Sequence, residues 1–230
     1  MERTSIIEGN IPILLVAPHG HPKDDERTAL ITEFIANKLN CYAVINRGWR
    51  RGEEVDFRKD KADCNNIYHC REDVVREEML DPILKYKNRI MKRHLEMYIF
   101  HIHGMGDKHR ELCGDYTLDI VVGYGAGNPN RFTCDEWRKD LFIKYLEDQK
   151  ITTYEGGKGS PMSGWSHQNM NQLFRTDYFD ERVHSMQIEI INELRRDNDI
   201  AMITADYLAD CMLNLMTSPE IFIKRKNKIY

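Results

Sequence analysis

No apolar stretch in this chain approaches the ~20 residues that a helix needs to cross a bilayer. The sequence therefore predicts no membrane-spanning helix and no membrane partner. The first ten residues, MERTSIIEGN, lack the long apolar core of a secretory signal. There is no CxxC pair either: six cysteines, Cys41, Cys64, Cys70, Cys113, Cys134 and Cys211, are scattered through 230 residues. That usage predicts reduced thiols in a cytoplasmic protein rather than a disulfide framework. Positive charge is not in excess, since 33 Lys and Arg against 37 Asp and Glu give a net charge of −4. The charge balance does not point to nucleic acid, and no block of like charge reads as an acidic tail. Internal repeats and low-complexity segments are missing. The glycine-rich segments GYGAGN and EGGKGSPMSG match neither a P-loop nor GxGxxG spacing, and read as turns and walls of a pocket. The basic run KRKNK near the end, Lys224 to Lys228, reads as solvated.

What is present is enough apolar residue to build a core, 41% of the chain, in a pattern of alternating strands and helices. Ile11 to Ala17 is a continuous apolar run closed by Pro18, as a strand buried on both faces reads. Leu30, Ile31, Phe34, Ile35 and Leu39 recur at helical spacing over Arg27 to Leu39. A strand follows at Tyr42 to Ile45, then a long polar loop from Gly48 to Asn66. Glu72 to Met97 reads as a helical stretch broken near Pro82. Further strands are expected at Tyr98 to His103, Asp119 to Val122, Ile151 to Tyr154 and Ser185 to Ile191, with helices at Thr133 to Gln149 and Asn198 to Met216. The alternation predicts an α/β fold with a mixed, mainly parallel sheet, as a single domain over residues 1–230.

Two of these strands end in His-Gly: IPILLVAPHG delivers His19, and MYIFHIHG delivers His103. In open α/β sheets ligands bind at the carboxyl ends of the strands, and two imidazoles converging there suit a metal, zinc in particular. DIVVGYG shows that a strand here also ends in glycine without histidine, so the His-Gly pair is not by itself diagnostic. His101 lies two residues before His103 and faces the same side of the strand, as a further ligand or as a partner that fixes the tautomer of His103. His21, just past the first strand, reads as a solvated loop histidine. Asp24, Asp25 and Glu26 follow His19 closely. One of them could turn back to complete a metal site, while the plain alternative makes all three the cap and first-turn acids of a helix. Glu189, inside the apolar run MQIEI, is costly to bury unless paired or used. Beside a metal it could move a proton between water and a leaving group; otherwise it would salt-bridge an arginine or sit outside an amphipathic helix. The loop carrying Arg47, Arg50, Arg51, Arg58 and Asn65 offers guanidinium forks for an acidic substrate, although most such charges are simply solvated. The amide-rich segment Ser163 to Arg175 reads equally as a pocket wall or as an ordinary polar helix and loop.

Taken in order, the APHG strand end, the DDERT segment, the DFRKDKADCNN loop, HIHGMG, DIVVGYG and the late MQIEI resemble the N-formylglutamate amidohydrolase family over nearly the whole chain. PHG and the late Glu are also similar to a phage poly-γ-glutamate hydrolase branch. The resemblance implies a three-layer, phosphorylase/hydrolase-like α/β fold related in architecture to zinc carboxypeptidases and aspartoacylases. It implies Zn2+ held by His19, His103 and a carboxylate that falls on Asp25, with Asp24 and Glu26 as neighbours in contention. Glu189 would be the general acid/base, and Arg47 would match a substrate-carboxylate arginine. Two departures stand out. The family's Asp-x-Asn-Arg motif appears as Asp63-Cys64-Asn65-Asn66, with Asn66 where an arginine is expected and Arg58 or Arg71 as possible substitutes. An Asp-x-His-Ser motif appears as His101-Ile102-His103-Gly104, with His101 in place of the aspartate.

The expected activity is zinc-dependent hydrolysis of an amide bond in an N-acyl amino acid or a γ-glutamyl or peptide-like acidic substrate. Glu189 would be catalytic, His19, Asp25 and His103 metal-binding, and Arg47, Arg51, Arg58 and Asn65 substrate-binding. Two alternatives carry different chemistry: a non-catalytic, metal-dependent binding protein on the same fold, which the altered loop motif favours, and a metal-dependent phosphoesterase.

Overall fold

A computed structural model describes residues 3–54, 62–70, 75–115, 117–157 and 161–226. In chain order the elements are β1 (Thr4–Ile7), β2 (Ile13–Ala17), α1 (Thr28–Leu39), β3 (Tyr42–Asn46), a π-helical turn (Arg76–Leu80) running into α2 (Asp81–Met91), β4 (Met97–Met105), α3 (Lys108–Cys113), β5 (Ile120–Gly123), α4 (Glu136–Asp148), β6 (Thr153–Gly156), β7 (Val183–Ile191), α5 (Asn198–Thr217) and α6 (Pro219–Lys226). The seven strands form one mixed sheet in the order β1-β3-β2-β4-β7-β5-β6. β3, β2, β4 and β7 run parallel, β1 pairs antiparallel with β3, and β5 pairs antiparallel with β7 and parallel with β6. This is the mixed, mainly parallel α/β sheet expected from the strand–helix alternation. Among the described residues no helix is long and apolar enough to cross a membrane.

Both faces of the sheet are covered, which is why its central strands read as continuous apolar runs. On one face Ile13, Leu15, Tyr98, Phe100, Ile102, Met186, Ile188 and Ile190 pack with the buried sides of α1, α4 and α5. On the other, Leu14, Val16, Val44, Ile99 and Val183 pack beneath the π turn, α2 and the segment around Met170 to Phe174. All five residues of β2 are solvent-free, and each large aliphatic side chain so buried contributes about 1.5–3 kcal/mol.

The helical stretch over residues 75–91 is continuous through Pro82, not broken there as expected. Pro82 lies in the first α-helical turn, and the wider π turn before it, in which Asp81 N–H reaches back to the Arg76 carbonyl, eases the clash that a proline ring makes with the preceding turn. The helix stops at Met91, and Met97 already belongs to β4. The start of α1 also differs from expectation. Neither Asp24 nor Asp25 caps it: the residue before the helix is Arg27, in a left-handed conformation at φ 66°, with no side-chain cap.

Candidate metal centre

β2, β4 and β7 are adjacent and parallel, so their carboxyl ends lie side by side, where ligand sites form in such sheets. His19 follows β2. His103 is in β4, and its register partner on β7 is Glu189, which places the two side chains on one face of the sheet. In an interval of two, His101 and Gln187 form the preceding pair on the same face. Ile102 and Ile188 point the other way into the core.

The loop after His19 folds back on itself: Asp25 N–H donates to the His19 carbonyl (3.1 Å), and Thr28 binds the Asp25 carbonyl through both N–H and hydroxyl. This turns the Asp25 carboxylate inward. Its Oδ2 accepts from Gly104 N–H at 3.1 Å and lies 3.4 Å from His19 Nδ1 and 3.3 Å from His103 Nδ1. Asp24 instead accepts from the Arg51 backbone N–H at 2.8 Å, and Glu26 is exposed and pairs with Arg27 at 2.7 Å. Of the three neighbouring acids, then, Asp25 is the one that meets the histidines.

His19, Asp25 and His103 are all buried, and one ligand atom from each lies within 4.8 Å of the others. The two Nδ1–Oδ2 separations are long for hydrogen bonds. They match the edge of a tetrahedron whose corners sit 2.0–2.1 Å from a central zinc, about 3.3–3.4 Å. His19 Nδ1 is buried without a hydrogen-bond partner, as is His103 Nε2. Donor chemistry, spacing and the unpartnered ring nitrogen fit a metal ion. His19 Nε2–H donates to Asp63 Oδ1 at 3.0 Å. Since a carboxylate only accepts, Asp63 keeps the ring proton on Nε2 and leaves Nδ1 as the donor atom, as carboxylate–histidine pairs do at metal sites. With these neighbours alone, burial opposes the charged form of His19, but Asp25 and Asp63 more than offset it and bring its pKa to about 9. Burial likewise opposes ionisation of Asp25, yet His103 and His19 hold its carboxyl far below the usual range.

Glu189 is 9% exposed, and it is a strand residue, not one on the outside of a helix. Gln187 Nε2 donates to its Oε1 at 2.6 Å, and Asn169 Nδ2 donates to Gln187 Oε1 at 3.1 Å. Among the described residues no hydrogen bond or ion pair joins His101 to the His–Asp–His group. Its Nε2–H donates to Ser185 Oγ (3.1 Å), which in turn donates to Asn171. Burial, reinforced by nearby His103, pulls its pKa to about 3, so it stays neutral.

The fold resembles solved hydrolase structures. A crystal structure of N-formylglutamate amidohydrolase from Ralstonia eutropha JMP134 superposes with a TM-score of 0.65 at 12% identity, covering 98% of this chain and 100% of that one. The gene product Atu2144 from Agrobacterium tumefaciens gives 0.58 at 13% identity, covering 96% and 97%. A bacteriophage poly-γ-glutamate hydrolase gives 0.53 at 12%, covering 92% and 87%. The likeness is one of fold. No family model matches the chain, and no curated protein matches it.

The remaining predicted residues are spread around this centre. Asn65 lies two residues after Asp63 in the loop: its N–H donates to Asp63 Oδ1 (3.0 Å), and its side-chain Oδ1 is buried without a hydrogen-bond partner among the described residues. Asn66 bridges in antiparallel fashion to Asn169, so it joins two walls of the site. Arg47 is engaged elsewhere, donating to Glu33 on α1 and to Ser5 on the edge strand β1, both at 2.7 Å. Arg51 is exposed near Asp24. His21 sits at the same rim, its Nδ1 accepting from Lys23 N–H. Arg58 and Arg71 lie outside the described residues. The amide-rich segment after Ser163 is a wall rather than a regular helix: Asn169 caps a short 3-10 turn and Gln172 holds the Arg131 and Gly164 carbonyls.

Three groups were not singled out from sequence. Asp63 was visible only as part of a loop motif, and Gln187 only as the residue alternating with Glu189. The third, Arg195, is buried behind the site and donates to the carbonyls of Ile190, Glu26 and Met105. It thereby ties β7, the acidic loop and β4 together.

Proposed function

We propose that this chain is a zinc-dependent amidohydrolase, cleaving the amide bond of an N-acyl amino acid or of a γ-glutamyl or peptide-like substrate. Zinc would be held by His19, Asp25 and His103. The observation that carries this reading is the pair of imidazole Nδ1 atoms 3.4 and 3.3 Å from one buried carboxylate oxygen, with a second carboxylate, Glu189, beside His103 in the next strand. When bound, the ion would act as a Lewis acid, polarising the scissile carbonyl and acidifying the attacking water.

The protein's own residues divide the rest of the work. Glu189 takes a proton from the attacking water and returns it to the departing nitrogen. Gln187 occupies Oε1 of Glu189, leaving Oε2, which has no partner among the described residues, for that proton. Asp63 holds His19 in the tautomer that presents Nδ1. Asn65 and Arg51 are assigned to the substrate side, Asn65 from the loop wall and Arg51 from the rim.

The test is Glu189→Gln, assayed against N-acyl amino acids and γ-glutamyl peptides with and without added zinc. The variant should keep its metal by elemental analysis and lose amide hydrolysis. Unchanged turnover would remove Glu189 as the base, and a wild-type protein that takes up no zinc would remove the ligand set.

A further inference from the structure

Glu189 ends a chain of side-chain amides whose direction is fixed from both sides. At the far end the Asn171 backbone N–H, which can only donate, gives its proton to Asn169 Oδ1 at 2.8 Å. That places the oxygen of the Asn169 amide and leaves its Nδ2 to donate to Gln187 Oε1 at 3.1 Å. The Gln187 amide then turns its Nε2 toward Glu189 and donates to Oε1 at 2.6 Å. A carboxylate only accepts, so the two ends of the chain demand the same orientation of each amide between them. Gln187 by itself could reverse its amide with little change of shape, and the donor on Asn169 opposes that reversal.

Asn169 is itself held in place. It caps the 3-10 turn Met170–Gln172, and its backbone bridges antiparallel to Asn66. On either side of the bridge, Ile67 N–H donates to the Gln168 carbonyl (2.7 Å) and Met170 N–H to the Asn65 carbonyl (2.8 Å). The loop clipped in this way also carries Asp63, the partner of His19 Nε2. Toward the sheet, Ser185 Oγ donates to Asn171 Oδ1 at 2.6 Å, and Asn171 Nδ2 donates to Thr133 Oγ1 at 3.1 Å. Two asparagines two residues apart thus meet Ser185 and Gln187, two residues apart on the face of β7 that bears Glu189. We propose that Asn169 is a positioning residue for Glu189. Acting through the Gln187 amide, it keeps a donor on Oε1 and so holds the carboxylate in one rotation with Oε2 free. A reversed Gln187 would set its carbonyl oxygen against Glu189 and drive the carboxylate aside. The proposal rests on the hydrolase reading for what Glu189 does, but the direction of the amide chain needs neither metal nor turnover.

Asn169→Asp isolates that direction. It keeps the side-chain shape and the oxygen that accepts from Asn171 N–H, and it replaces the donor by an acceptor, so two carboxylates compete for the Gln187 NH2 group. The chain has only four glutamines, Gln149, Gln168, Gln172 and Gln187. In full-length protein labelled with 15N-glutamine, the side-chain amide pair that vanishes in Gln187→Leu is that of Gln187. With metal removed by chelation, Asn169→Asp should shift or broaden this pair and leave the pair of Gln149, at the end of α4, in place. With zinc loaded, kcat for amide hydrolysis should fall about tenfold or more, with KM within twofold and zinc content and urea midpoint unchanged. Asn169→Ser, whose hydroxyl still caps but is too short to reach Gln187, should lower kcat by less, and it carries the same test should the first variant fold poorly. In a Gln187→Leu background Asn169→Asp should cost no further kcat. An unmoved Gln187 pair, an unchanged kcat, or an additive loss in the Gln187→Leu background would overturn the proposal. A Gln187 pair that moves in a protein whose wild type hydrolyses no amide would strike the hydrolase reading and uphold the direction of the amide chain.

Discussion

Replacing Gly104 by alanine should destabilise the protein, although alanine in a strand ordinarily gains roughly 0.5–1 kcal/mol over glycine. A Cβ at position 104 would sit 2.5 Å from Arg195 Cζ, 2.6 Å from its Nη2 and 2.8 Å from its Nε, about 1 Å inside van der Waals contact. The obstacle is not the loose end of a side chain. Arg195 is 5% exposed and donates to the carbonyls of Ile190 (3.0 Å), Glu26 (2.7 Å) and Met105 (3.1 Å). Moving the guanidinium surrenders at least one charged hydrogen bond, about 1.5–3 kcal/mol. Moving β4 instead incurs an overpacking cost of about 1–3 kcal/mol and disturbs the 3.1 Å bond from Gly104 N–H to Asp25. The expected loss is about 3 kcal/mol. With a urea m-value of about 2–3 kcal/mol/M, the midpoint should fall by roughly 1 M or more. The partner is identified by a double-mutant cycle: in an Arg195→Ala background the added effect of Gly104→Ala should shrink below about 1 kcal/mol. A midpoint that stays put or rises, or a cycle with no coupling, would refute the steric account.

Two further outcomes are expected. Asp63→Asn should weaken metal binding by about 10–100-fold, because the orienting acceptor on His19 Nε2 becomes an amide; competition against a chelator of known affinity reads this, and an unchanged constant would show that Asp63 does not orient the ligand. His184, 5% exposed, has its pKa pulled to about 3 by burial and then by the Arg138 charge; since this lies below the unfolded value near 6.5, its contribution is fully present above pH 6.5 and drains as pH falls, by about 1.4 kcal/mol per unit. His184→Gln should therefore lessen the loss of urea-measured stability between pH 6.5 and 5 by about 2 kcal/mol, whereas parallel curves for wild type and variant would mean that His184 is not held neutral.

The central strands were legible because both their faces are covered. β2 is apolar throughout, β4 is apolar apart from His101 and His103 on the site face, and β7 alternates Ser185, Gln187 and Glu189 on the site face with Met186, Ile188 and Ile190 on the core face. β1 was not, because it is a four-residue edge strand with Ile6 51% exposed. It exists by pairing antiparallel with β3, and long-range pairing leaves no local mark. α3 is a short, mostly polar helix without an apolar stripe. Within the candidate site, His103 and Glu189 sit in strands and His19 just past one, so their placement followed from the strand pattern. Asp25 sits in an aperiodic loop, where spacing cannot say which of three adjacent acids turns inward. Asp63 meets His19 across 44 residues of chain, a contact no local pattern encodes, although Gln187 was within reach because a period of two sets it beside Glu189.

The glycines after the two histidines carry a different message from the histidines themselves. A Cβ at Gly20 would meet the Asn46 carbonyl at 2.4 Å, one at Gly104 the Arg195 guanidinium at 2.5 Å, and one at Gly123, the end of β5, the Met162 carbonyl at 2.2 Å. At all three strand ends another segment crosses directly over the backbone, and glycine is what permits the approach. Asn46 shows what the crossing achieves: its side chain donates to the Pro18 and Trp49 carbonyls and accepts from Trp49 N–H, pinning the end of β2 to the turn after β3. Glycine at these ends thus reports crowding at the carboxyl edge of the sheet, whether or not the strand delivers a histidine there, and β5 delivers none. What separates the two histidine-bearing ends from β5 is an inward carboxylate. Gly104 donates its N–H to Asp25, so the crowding that excludes a side chain at position 104 also holds the backbone donor in place for the carboxylate that joins His19 to His103.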